Sequence, residues 1–219
     1  MWPLRRARRR TSEGLDAAHE RGLIHRDIKP ANIYLEAGTD RVKIVDFGLA
    51  RAVSDDLHLT RTGTIVGTPA YMSPEQARGA PVDQCSDRFS LGSVLYRMCT
   101  GRTPFLAEDT MSMLLALAND QPPPIAAFNN LVPGPLIRLI DQLLAKLPEA
   151  RPQSARVVAA KLCAIENALA AFFGAAGRRG PTRARRRHPA GRWPPGFRSS
   201  PRWGWACPLT GMGLPRCRS

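Results

Sequence analysis

Between residues 86 and 101, apolar side chains recur at Phe89, Leu91, Val94, Leu95 and Met98 within "SDRFSLGSVLYRMCTG". That spacing predicts a buried helix that opens at a Ser/Asp cap and closes at Gly101, ahead of Pro104. Two more helices are expected over 108–119 and 135–147, the second with Leu136, Ile137, Leu139, Ile140, Leu143 and Leu144 on overlapping faces. A last one runs through "SARVVAAKLCAIENALAAFF", with Val157, Val158, Lys161, Leu162, Ile165 and Leu169 turned inward. Near the start, "SEGLDAAHERG" sets Leu15, Ala18 and His19 at helical spacing between a Ser12 cap and a Gly22 stop. Two β-rich runs, "NIYLE" and "RVKIVDF", flank "AGTD" and predict a small hairpin whose ends bring Asn32 and Asp46 near one another. The expected fold is mainly α (α+β), a helical lobe with one β-hairpin.

From Asp46 to Glu75 the chain is rich in Gly, Thr, Ser, Asp and Pro for about thirty residues, too long for a plain connector and therefore read as a functional loop. Beyond Gly174 neither a period of 2 nor one of 3.6 survives. The expected division is a basic disordered head over 1–11, a folded unit over 12–173 and an Arg/Pro/Trp-rich disordered tail over 174–219.

Charge sharpens that division. The 219 residues carry a formal net charge of +14, yet all 18 acidic residues lie between 11 and 174 with a matching set of bases, so the excess comes from arginines at the two ends. Trp2, Trp193, Trp203 and Trp205 are also all in those ends. Arginines interleaved with indoles suit phosphate contacts and base stacking; the preferred reading is a linker-like or out-of-frame tail, not a nucleic-acid binder. The five cysteines show no C-x-x-C pair and no metal spacing, which points to reduced thiols and a cytoplasmic protein. No apolar run approaches the roughly 18 to 20 residues of a membrane span, and the arginine-rich start lacks the apolar stretch of a signal peptide.

The densest chemistry is in "HRDIKPANIYL", residues 25 to 35. Phosphoryl transfer from ATP needs placed phosphates, cations against their charge and a group to take the hydroxyl proton. Asp27 can orient and deprotonate a hydroxyl, and Lys29 can steady the moving phosphate. Asn32 and Asp46 offer hard oxygens that suit Mg²⁺.

In order and at compatible gaps the chain reads "HRDIKPAN", "DFG", "GTPAYMSPE", "SDRFSLG" and "ARP". Over about residues 13 to 172 this resembles the C-terminal lobe of the serine/threonine protein kinases, in wording close to the bacterial, eukaryotic-type members. The resemblance implies Asp27 as catalytic base, Lys29 as phosphate contact, Asn32 as second-metal ligand and Asp46 as principal Mg²⁺ ligand. It also implies that His25 and Phe47 stack inside the lobe, that Glu75 and Arg151 form a buried ion pair, and that Asp87 holds the backbone of the catalytic loop. Thr68 would line the substrate hydroxyl. Arg26 before the aspartate implies control by loop phosphorylation, with Thr60, Thr62 and Thr64 as acceptors or, equally, as hydroxyls that cap turns. Tyr34 would lie beneath the adenine, where a compact aliphatic residue is usual; Arg88 and Leu147 stand where an apolar residue and an aspartate are usual.

Ahead of the loop there is no glycine-rich turn over the phosphates, no "V-A-I-K" lysine and no glutamate helix to pair with it. The resemblance therefore implies a kinase domain truncated to one lobe, with little activity alone and an apolar roof that a partner supplies or covers. Its substrates would be Ser/Thr hydroxyls of proteins. The alternative is a non-catalytic, pseudokinase-like remnant that serves as a protein-interaction module.

Overall fold

Burial on every side, not on one stripe, marks the central helix of the computed structural model, which describes residues 2–36, 39, 41–47 and 69–178. Helix α3 (Gln84–Thr100) is buried continuously from Ser86 to Tyr96, as expected of a helix with neighbours all round. The hydroxyls this places in the interior are satisfied locally: Ser90 and Ser93 donate to the carbonyls four residues earlier, at 3.1 and 3.4 Å. The cap is Asp83, whose carboxylate accepts from the Cys85 N–H at 2.7 Å. Ser86 and Asp87, expected as the cap, are thereby released for contacts elsewhere. Gly101 closes the helix in the left-handed region, φ +76°.

Around α3 the chain orders α1 (Trp2–His19), β1 (Ile33–Leu35), β2 (Val42–Ile44), α2 (Pro74–Ala77), α4 (Thr110–Asn119), α5 (Gly134–Leu143) and α6 (Ala155–Arg178). The two strands pair antiparallel, Ile33 opposite Ile44 and Tyr34 opposite Lys43. Ile33 and Ile44 face the core while Tyr34 and Lys43 face outward, the period of 2 that a half-buried hairpin requires. The core gathers Leu15 from α1, Ile28, Phe89, Leu91 and Leu95 of α3, Leu117 of α4, Ile140 and Leu143 of α5, and Val158 and Leu162 of α6.

Three expectations change. Residues 2–10, placed in a disordered head, belong to α1, and Ser12 is no cap but an interior position whose hydroxyl donates to the Arg8 carbonyl at 3.2 Å. The apolar face of α6 runs through Ala155, Val158, Ala159 and Leu162, so Val157 is 37% exposed; α6 also continues past the boundary at 173. The stretch before Glu75 is not all loop: Pro69–Tyr71 is a 3₁₀ turn and α2 is opened by a full capping box, Ser73 accepting from the Gln76 N–H while the Gln76 side chain accepts from the Ser73 N–H. The rest of that loop and the tail from 179 onward lie outside the described residues. Among the described residues no helix is long and apolar enough to cross a membrane.

Candidate active site

The loop after α1 is built around one buried carboxylate. Asp87, fully buried on α3, accepts the His25 N–H at 2.8 Å on one oxygen and the Arg26 N–H at 2.7 Å on the other. His19, from the last turn of α1, places its Nε2 2.8 Å from the first of those oxygens. Below this clamp the His25 ring is anchored at Nε2 to the Val45 carbonyl, 2.8 Å, and meets the Phe47 ring edge-on with centroids 4.6 Å apart. Arg26 sits at φ +67° and Asp46 at φ +66°, the only described non-glycine residues with positive φ. Such backbone costs of the order of 1–3 kcal/mol and persists where surrounding contacts over-determine it.

Asp27 emerges from the loop exposed. Its Oδ2 takes both described contacts, Lys29 Nζ at 2.8 Å and Asn32 Nδ2 at 3.1 Å. Its Oδ1 has no partner among the described residues. Asn32 is fixed again by donation from Nδ2 to the Asp27 carbonyl, 2.8 Å, within the Pro30–Asn32 3₁₀ turn. Its carbonyl accepts from the Val45 N–H at 3.0 Å, so the hairpin delivers Asp46 one residue beyond that bond.

The donor chemistry fits a hard divalent cation. With the Asn32 amide nitrogen committed to Asp27, its Oδ1 is turned away from that bond, and the exposed Asp46 carboxylate has no cation beside it among the described residues. Two oxygen donors on adjoining backbone, both acceptor-only, are what Mg²⁺ takes from a protein.

A second buried group ties α2 to the far end of the fold. Arg151 meets Glu75 in a fork, 2.7 and 2.9 Å, and Ser86 adds a 2.6 Å bond to the same carboxylate. The remaining Arg151 donors reach the carbonyls of Ala145, Cys85 and Lys146, and its guanidinium lies 5.0 Å over the Phe89 ring. Burial by itself would raise the Glu75 carboxyl, but the bonds from Arg151 and Ser86 outweigh it and hold the group below the ordinary carboxylate value.

Among the residues expected at the site, Asp27, Lys29 and Asn32 are in direct contact, and Asp46 follows the hairpin. Tyr34 is 57% exposed on the outer face of β1. Thr60, Thr62, Thr64 and Thr68 lie outside the described residues. Arg88 is buried, with its described hydrogen bond to the Cys85 sulfur. Leu147 occupies the cap of the Pro148–Ala150 turn and supplies no side-chain bond there, which an aspartate would. His19, Ser86 and Gln76 do their work at sequence separations of 68, 11 and 50 residues, so no local pattern marks them.

Comparison with known proteins agrees with this geometry. The model of the protein kinase domain matches residues 2–163, which takes in the arginine-rich start of α1. The serine/threonine-protein kinase PknB of Mycobacterium leprae is 41% identical over 155 residues, 71% of this chain and 25% of that protein. PknB of Mycobacterium tuberculosis is 42% identical over 156 residues, with the same coverage. The DNA damage-responsive serine/threonine-protein kinase RqkA of Deinococcus radiodurans is 41% identical over 148 residues, 68% of this chain and 22% of its own length. The chain thus spans about a quarter of the length of these relatives. A clamped loop, a hairpin that delivers two oxygen donors and a family match over three quarters of the sequence lead to one assignment: the chain belongs to the protein kinase family, and the relatives it resembles are bacterial serine/threonine-protein kinases.

Proposed function

We propose that residues 25–47 carry the phosphotransfer site of a serine/threonine protein kinase, acting with ATP and Mg²⁺ on hydroxyls of protein substrates. The observation that carries this reading is the division of labour at Asp27: Oδ2 is held by Lys29 and Asn32, and Oδ1 has no partner among the described residues. A serine or threonine hydroxyl at Oδ1 would be aligned and would pass its proton to that oxygen as its own oxygen attacks. Lys29, already ion-paired at the same carboxylate, lies where a phosphate passing to that hydroxyl gains a positive neighbour. Asn32 Oδ1 and the Asp46 carboxylate would hold Mg²⁺. Held there, the cation would supply positive charge against the phosphates. Asp87 and His19 keep the loop from relaxing, so little reorganisation is left for the reaction itself.

The reading includes a partner surface: Tyr34 and Leu35 of β1 are each at least half exposed, an apolar pair on the hairpin that a partner protein would cover. That exposure also favours the alternative, an interaction module that moves no phosphate. A cytoplasmic setting belongs to either version.

Labelled phosphoryl transfer from ATP–Mg²⁺ to a serine- and threonine-rich acceptor protein tests the choice. Asp27→Asn should lower the rate about 10²–10⁴-fold, the usual worth of a placed general base, while calorimetric ATP–Mg²⁺ affinity stays within a few-fold. No transfer above the Asp27→Asn background would sink the kinase reading and leave the interaction module.

A further inference from the structure

Arg26, the strained residue ahead of Asp27, is held at both of its backbone polar groups by buried side chains from elsewhere in the fold. Its N–H goes to Asp87 on α3, at 2.7 Å. Its carbonyl accepts from Gln76 Nε2 on α2, at 2.8 Å. That carbonyl belongs to the peptide linking Arg26 to Asp27, so whatever fixes it fixes the plane from which the Asp27 side chain departs. Gln76 is 9% exposed, and its other side-chain atom is engaged too: Oε1 accepts from the Ser73 N–H at 3.0 Å in the capping box of α2. Both ends of one amide are therefore used, the oxygen inside α2 and the nitrogen across to the loop.

We infer that Gln76 is a positioning residue that locks the Arg26–Asp27 peptide in its left-handed setting and so ties the orientation of Asp27 to the folded state of α2. This rests on the proposed phosphotransfer role only for its kinetic consequence; the lock itself is a statement about the loop. Gln76 touches none of the groups assigned to the reaction. A φ of +67° at an arginine does not hold itself; with the donor to its carbonyl gone, the peptide is free to rotate toward ordinary backbone while Asp87 still grips the N–H side. The link has a direction of use. α2 ends the segment that begins at Asp46, so order or disorder in α2 reaches the Arg26–Asp27 peptide directly through the Gln76 hydrogen bond.

The test compares Gln76→Glu, which keeps the oxygen for Ser73 and loses the donor, and Gln76→Met, which keeps the bulk and loses both. Ser73→Ala is the control, weakening the α2 cap without touching the bond to Arg26. Hydrogen exchange followed by mass spectrometry on a peptide covering 23–31 should show the Arg26 and Asp27 amides opening about fivefold to tenfold more often in both Gln76 variants, the scale of one buried hydrogen bond. Ser73→Ala, which leaves the Gln76 donor in place, should raise exchange in 73–78 and raise it over 23–31 by clearly less than either Gln76 variant. Where the chain transfers phosphate, kcat should fall in the Gln76 variants with the KM for ATP unaltered. Exchange over 23–31 that equals wild type in both Gln76 variants, or that rises as much in Ser73→Ala, overturns the inference. A chain that transfers no phosphate but shows the loop opening counts against the kinase reading alone.

Discussion

Glu75 and Arg151 stand 76 residues apart, and neither has any local reason to be charged. Their value is mutual. Each is at least nine-tenths buried, so removal of one leaves the other without a partner in the interior, at a cost of about 3–5 kcal/mol. Glu75→Gln or Arg151→Met should lower stability by that amount in urea melts, whereas the double change should cost less than the sum because no orphan charge remains. The carboxyl also sets a pH window. Its value in the fold is depressed below the usual value of about 4.3 that it has in the unfolded chain. The contribution is therefore complete above that unfolded value and drains away as pH falls below it toward the folded one. Urea midpoints of the wild type should drop on going from pH 5 to pH 3 more steeply than those of the double variant; parallel slopes would show the pair is not the titrating element. At this scale the sequence was readable where a residue's role is chemical: Asp27, Lys29 and Asn32 share one loop, and the types alone announce oxygen and ammonium. Gln76 and His19 were not, because an amide and an imidazole acquire their roles only from what folding brings against them.

Elements were legible to the extent that their pattern was self-contained. The hairpin follows from two β-rich runs on either side of a short polar turn, and its register, Ile33 against Ile44, is what puts the apolar pair on the core side. The length of α1 was obscured by charge: arginine is a good helix former, and a run of it reads as an unfolded arm only when its neighbours are unknown. Helix α2 was lost because four residues carry no period, and its capping box is written in a serine and a glutamine whose pairing is ordinary. Glycines inside helices show how far an element's behaviour depends on its neighbours. In α1, a methyl group at Gly14 would lie 3.4 Å from Ile44 Cδ1, in ordinary contact. In α3, one at Gly92 would lie 2.7 Å from Leu143 Cβ and 3.3 Å from the Leu143 backbone carbon. The same substitution should therefore have opposite signs. Gly14→Ala should raise stability by about 0.5–1 kcal/mol through helix propensity. Gly92→Ala should lower it by about 1–3 kcal/mol, since α3 and α5 must move apart. Urea midpoints at constant m-value decide both.

For the molecule as a whole, the beginning of the chain either is part of the folded lobe or is not. Composition separates residues 1–11 from the rest, because they hold five arginines and no acid. Contacts join them. Arg9 pairs with Glu13 one turn on at 2.6 Å and reaches Glu166 of α6 at 3.5 Å. Ser12 and Thr11 are buried, and Arg156 of α6 bonds both to Asp16, further along α1, and to Glu20 just past its end. A helix that meets α6 from Arg9 to Asp16 packs onto the lobe, and it is the same helix whose final turn sets His19 against Asp87. Deletion of residues 2–10 then removes half of α1 while leaving every catalytic candidate in place. If the arginines are an appendage, stability is unchanged. If they belong to the lobe, the loss of the half-buried Arg8 and Arg9 stems and of the Arg9–Glu166 ion pair should cost about 1–2 kcal/mol. The exposed end of α1 should then fray, so hydrogen exchange should rise over residues 12–19. Because that stretch carries His19, the loosening should extend to the peptide over residues 23–31 although nothing near Asp27 has been altered. An unchanged urea midpoint with unchanged exchange at both places would return the arginines to the status of an unconnected arm.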